Sequence, residues 1–88
     1  MPTGIIEEAL YKSQIEKLRI DWKTLDEAFL SLESAVLRIP EAFPLVEGTR
    51  LRRIEIVGFA DVPPISIFFA VNGPNVHLIA AELIISED

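Results

Sequence analysis

The chain has no cysteine, so disulfides and thiolate metal sites are excluded and nothing points to an oxidising compartment. It has one histidine, and no second one exists to complete a nitrogen or sulfur metal site around it. No metal and no cofactor are expected. Basic residues are scarce as well: eight against fourteen acidic, a net charge of −6, which opposes non-specific attraction to nucleic acid phosphates or anionic membranes. No uninterrupted apolar run approaches the roughly 18 residues that a membrane span needs. The opening "MPTGIIEE" turns acidic at once, without the basic region and long apolar stretch of a signal peptide, so a cytoplasmic protein is expected. Phosphate-loop, dinucleotide, zinc-protease and nucleophile-elbow signatures are all missing.

What is there is hydrophobic. Half of the 88 residues are apolar, a high share for a chain that can form only one domain, residues 1–88, with one modest core. A partner that covers part of that surface, through self-association or as a small second protein, accounts for the excess.

Helical patterning fills the first half. Tyr11, Ile15, Leu18 and Trp22 recur at helical spacing within a first helix expected from Ile5 to about Leu18. In "LRIDW" the alternation of Leu18, Ile20 and Trp22 with charged residues equally suits a short strand, and periodicity leaves both open. The second helix opens on "TLDE", which reads as a capping box between Thr24 and Glu27. Its stripe Leu25, Ala28, Phe29, Leu32, Ala35 and Val36 defines one buried face, and Pro40 ends it. "PEAFPLVEGT" follows as a loop pinned by Phe43 and Leu45.

The second half reads as three strands: Leu51 to Val57, Ile65 to Val71 and Val76 to Ile85. Short connections favour an antiparallel meander. The expected fold is therefore α+β, an N-terminal helical hairpin packed on one face of a three-stranded antiparallel sheet. With Asn72 to Asn75 as the hairpin loop, Val71 faces Val76, Phe69 faces Leu78 and Ile67 faces Ala80. These six, with Ile54 and Ile56, should seat the second helix. The opposite face then carries Arg53, Glu55, Ser66, Phe68, His77, Ile79, Ala81 and Leu83, too apolar for water and yet partly polar. Such a mixture suits an association surface.

Two chemical candidates lie on that second face. His77 would serve as a base with Arg53 and Glu55 on the same face, or be structural and satisfied by a neighbour such as Glu55. In "TRLRR", Arg50 and Arg52 project to one side of the strand and Arg53 to the other, so the cluster is not one flat phosphate-binding patch. The paired carboxylates Glu7–Glu8 and Asp26–Glu27 read as helix surface or first-turn residues.

Between residues 25 and 83, a helix ending near a proline is followed by "IPEAFPLVEGTRLRRI" and "PPISIFFAVNGPNVHLIAAEL". This arrangement resembles the RelE/ParE toxin superfamily of bacterial toxin–antitoxin systems. Arg50 to Arg53 match its basic strand and "ISIFFAV" its central one. The resemblance implies helices on one face of a twisted antiparallel sheet, a concave opposite face, and an antitoxin-like partner. For active members it implies ribosome-dependent RNA cleavage, here with Arg50 and Arg53 on phosphates and His77 moving a proton. The family's opening strand is replaced in this reading by the first helix. Active members are basic and gather several Arg, Lys, Tyr or His side chains on the concave face. Here Phe69 stands where a tyrosine is expected, Ser66 or Ile67 where an arginine is, and the last strand offers only His77.

The expectation is a RelE/ParE-like domain that acts by protein–protein association through Arg50, Arg53, Glu55 and Phe68, with catalysis by His77 and Arg53 weak or absent. The alternatives are an active endoribonuclease and a structural subunit that uses the same face for assembly. Nucleic acid as a partner is disfavoured by the net charge.

Overall fold

A computed structural model describes residues 3–19, 21–56 and 63–84. The element order is β1 (Gly4–Glu7), α1 (Ala9–Lys17), α2 (Trp22–Arg38), a 3-10 turn (Pro40–Ala42), β2 (Arg52–Ile56), β3 (Ile65–Asn72) and β4 (Asn75–Leu83). The four strands form one sheet in the order β1-β4-β3-β2. The fold is α+β.

Two features of the expected layout are corrected. The helix expected from Ile5 starts at Ala9, because "GIIE" is claimed by the sheet: β1 lies parallel to β4, with Ile5 beside Val76 and Ile6 beside His77. The sheet thus has four strands and one parallel pair, where three antiparallel strands were expected, and the helices follow a strand. Only β2-β3-β4 is an antiparallel meander. Four residues are too few for a helical period to compete with a ladder that satisfies the backbone along its whole length.

The strand alternative for "LRIDW" also falls for its described residues, since Leu18 caps α1, Asp21 caps α2 and Trp22 begins it. Thr24 is not the cap residue. Asp21 accepts from the Thr24 backbone N–H at 3.0 Å and from its hydroxyl at 2.9 Å, placing the helix start three residues earlier than the capping box implied.

The β3–β4 hairpin turns on Gly73, whose φ of +60° suits the first central position of a two-residue turn. The expected register holds from Val71↔Val76 through Phe69↔Leu78, and the strands run one pair further, to Asn72↔Asn75, so the expected four-residue loop shortens to Gly73 and Pro74. Past Phe69↔Leu78 the register slips. Phe68 pairs with Ala80 and Ile67 with Ala81, so Ile79 is an extra residue in β4, a β-bulge. The slip puts Ala81, 2% exposed, into the core and leaves Ala80 outside it, the reverse of the expected assignment. Leu83 moves with Ala81, being paired with Ile65 on the helix side. Val71, expected in the core, lies next to the hairpin's turn and is 43% exposed.

The core is one cluster: Tyr11 and Ile15 of α1, Leu25, Phe29 and Val36 of α2, and Ile54, Ile56, Ile65, Ile67, Phe69, Val76, Leu78 and Ala81 of the sheet. Its strand residues alternate, apart from the step across the bulge, so both helices cover the same face. Phe43, from the loop after α2, meets the Phe69 ring edge-on at 5.8 Å. Ala35, expected in the buried stripe, is exposed. Residues 57–62 and 85–88, including Val57, Ile85 and the acidic end, lie outside the described residues. No helix among the described residues is long and apolar enough to cross a membrane.

Candidate association face

The sheet face turned away from the helices collects the residues singled out in the sequence. β2 contributes Arg53 and Glu55, β3 Ser66, Phe68 and Ala70, β4 His77, Ala80 and the exposed Glu82, and β1 adds Ile6 beside His77. Arg53 pairs with Phe68, Glu55 with Ser66, and Ala70 with His77. Ile6 is 39% exposed and Phe68, Ala70, His77 and Ala80 are half-buried. Ser66 is 3% exposed between the exposed carboxylates of Glu55 and Glu82, so the face is apolar over its middle and its β1 side and acidic at the Ser66 end.

Arg53 and His77 each have a carboxylate beside them on this face. Arg53 forms an ion pair with Glu55, two residues along its own strand. His77 Nδ1 lies 2.9 Å from Glu8 Oε1. Glu8 sits at the junction of β1 and α1, where the chain leaves the sheet and its side chain can reach around to the open face. Glu55 was the expected neighbour of His77; Glu8 takes that role. With Arg53 level with Phe68 and His77 level with Ala70, their Cα atoms are two strand spacings and two residues apart, about 12 Å. Phe68 lies between the two strands. Arg53 leans toward Glu55 at the level of Ser66, away from His77. The two proposed catalytic residues are not brought together.

The basic cluster disperses as its alternation requires. Arg50 is exposed in the turn before β2. Arg52 binds the chain to itself, donating from Nη1 to Phe43 O at 2.7 Å. Only Arg53 reaches the open face.

Two other surfaces carry chemistry. A groove of about 620 Å³ beside β2 is lined by Phe43, Pro44, Leu45, Val46, Arg53 and Glu55. On the helix side, Tyr11 faces Glu7 and Asp26 across a smaller cleft. Burial and then those two carboxylates push the phenol well above its usual pKa. No group of His, Asp and Glu among the described residues is placed to hold a metal.

Sequence reasoning missed Glu8 and Ile6. The signal was present: in "GIIEE", reading a strand places Ile6 on the face of His77 and Glu8 just past the strand's end. The chain matches no protein-family model and no curated protein.

Proposed function

We propose that this is a small association domain of RelE/ParE-like design, which binds a second copy or a small protein partner through the open sheet face and has weak or no catalytic activity. The observation that carries the reading is the pairing of charge with grease on that face. Ile6, Phe68, Ala70 and Ala80 offer apolar surface, while Arg53 and His77 are each already matched to a carboxylate. Desolvating the middle of the face on binding leaves Arg53 with its carboxylate partner, while Glu82 stands at the Ser66 end, outside that middle. Holding RNA needs the opposite, cations free to displace counterions from phosphates. The opening strand and the helices on one side of the sheet also suit the RelE/ParE likeness.

The Glu8–His77 pair favours a second reading. A carboxylate that accepts from Nδ1–H orients the imidazole and leaves Nε2 to take a proton, which suits an endoribonuclease with His77 as base. The reading lacks a phosphate clamp near His77.

The two readings separate in one pair of measurements. Sedimentation should show association that weakens strongly in Phe68→Arg, which buries a cation at the centre of the face. Expression in bacteria should leave growth unaffected. Growth arrest that His77→Ala or Arg53→Ala relieves would overturn the association reading in favour of the enzyme.

A further inference from the structure

The two edges of the sheet are finished differently. Along β2 the chain folds back on itself: the Val46 N–H donates to Leu51 O at 2.8 Å, the Arg53 N–H donates to Pro44 O at 3.0 Å, and Leu45 bridges Arg52. A returning segment that carries a proline thus occupies backbone groups a further strand would need. Along β1 the sheet has β4 on one side and, among the described residues, no strand on the other. Gly4 N–H donates to Pro74 O and Glu8 N–H to Leu78 O, so the even positions bond inward. Alternation turns the N–H and C=O of Ile5 and Glu7 outward. The strand "GIIE" carries no lysine, proline or bulge to blunt that edge.

We propose that β1 pairs antiparallel with the β1 of a second copy of this chain, about a two-fold axis at Ile6, joining two four-stranded sheets into one of eight strands. This inference rests on the association reading and names its partner and its geometry. Outward-facing residues must meet outward-facing residues in the hydrogen-bonded pairs, which limits the register. Glu7 opposite its own copy would set two carboxylates face to face, a destabilising pair. Ile5 opposite its own copy would next call on Thr3, whose N–H is already given to Pro74 O at 2.7 Å. Ile5 opposite the partner's Glu7 has neither fault. It forms four backbone hydrogen bonds, avoids like-charge contact, and brings Ile6 against the partner's Ile6 in the closely spaced, non-hydrogen-bonded pair. Because Ile6 shares the open face with His77, the two open faces become continuous across the axis. Each copy carries a charge of −6, so the pair should tighten as salt screens their repulsion, whereas a complex held by ion pairs loosens.

The absence of cysteine makes the test direct. Under mild oxidation, Ile6→Cys should give a disulfide-linked dimer several-fold faster than Leu45→Cys at the opposite edge, because closely spaced antiparallel partners meet disulfide geometry. Of the backbone's hydrogen-bonding groups Glu7→Pro removes only an outward N–H, and Glu7→Gln controls for the lost carboxylate; the proline variant alone should sediment as a monomer, with an unchanged circular dichroism spectrum. Equal cross-linking rates for the two cysteine variants would overturn the edge pairing. So would association that persists in Glu7→Pro and is lost in Phe68→Arg, an outcome that leaves the wider association reading standing. A wild-type chain that is monomeric up to about 100 μM, a concentration that would populate even weak self-pairing, overturns the edge pairing and self-association together.

Discussion

Arg19 adopts φ +57°, the left-handed region that costs a residue with a Cβ about 1 kcal/mol or more. It follows the α1 cap residue Leu18, and its N–H donates to Glu16 O at 3.0 Å; this is where helices commonly place glycine. Arg19→Gly should therefore stabilise the fold, by up to about 1 kcal/mol after the greater freedom of glycine in the unfolded chain is counted. Chemical unfolding measures it. Two positions later the Thr24 backbone N–H, then its hydroxyl, hold the Asp21 carboxyl below its usual pKa. A folded-state pKa below the unfolded one means stability that is complete above the unfolded value, near 4, and is lost as pH falls through the folded value. Asp21→Asn keeps a capping oxygen but cannot titrate. Thermal midpoints followed from about pH 6 to pH 2 should fall less steeply for Asp21→Asn than for the wild type. His77 and Phe69 separate surface from core at the same scale. Phe69→Ala empties a fully buried site and should cost about 3–5 kcal/mol. His77→Ala removes a half-buried link to Glu8 and should cost about 1 kcal/mol or less. Equal losses would mean that the two faces have been assigned the wrong way round.

Among the elements, β4 decides most. Its bulge at Ile79 lets two residues oppose Phe68, after which the alternation resumes on the shifted phase with Ala81 inward. Gln14 of α1 then accepts from the Ala81 N–H at 2.7 Å, where β1 has already ended and the β4 edge would otherwise lack a partner. The parity of the strand is thus tied to the helix. Ala81→Leu should overpack the core and cost about 1–3 kcal/mol, while Ala80→Leu should be tolerated and enlarge the open face. An unbulged strand would reverse that order. The measurement is again chemical unfolding of both variants, with dye binding to report the enlarged apolar surface.

At the scale of the whole molecule, helices on one face of a sheet leave the other face without a covering layer, and no helix among the described residues lies over it. The apolar excess noted in the composition is accordingly divided between a well-packed core and an open surface. Ile6, Phe68, Ala70 and Ala80 share the open face, while Leu10, Leu30, Ile39 and Leu45 are exposed on other parts of the surface. An association domain with its cation already paired on that face, Arg53 to Glu55, should remain associated at moderate salt. An RNA-binding toxin should instead lose its ligand steeply as salt rises.

Alternation alone sorted Ile54, Ile56, Ile67, Phe69, Val76 and Leu78 from Arg53, Glu55, Phe68 and His77, because a strand's side-chain period is two and neighbouring residues cannot share a face. The hairpin register near Gly73 was equally legible, since the turn itself sets it. The stop at Pro40 and the scattering of Arg50, Arg52 and Arg53 also followed from local geometry. The assignment of "GIIE" to a strand did not, because four residues carry no decisive period and their partner, β4, lies some seventy positions away. Nor did the bulge at Ile79, where "LIAA" reads equally well in either phase and only the combined demands of Ile67, α1 and Gln14 select one. The partner of His77 depended on both: Glu8 reaches it only because β1 runs parallel to β4 and then leaves the sheet. Local residues determined which side chains travel together, and long-range pairing determined which of them meet.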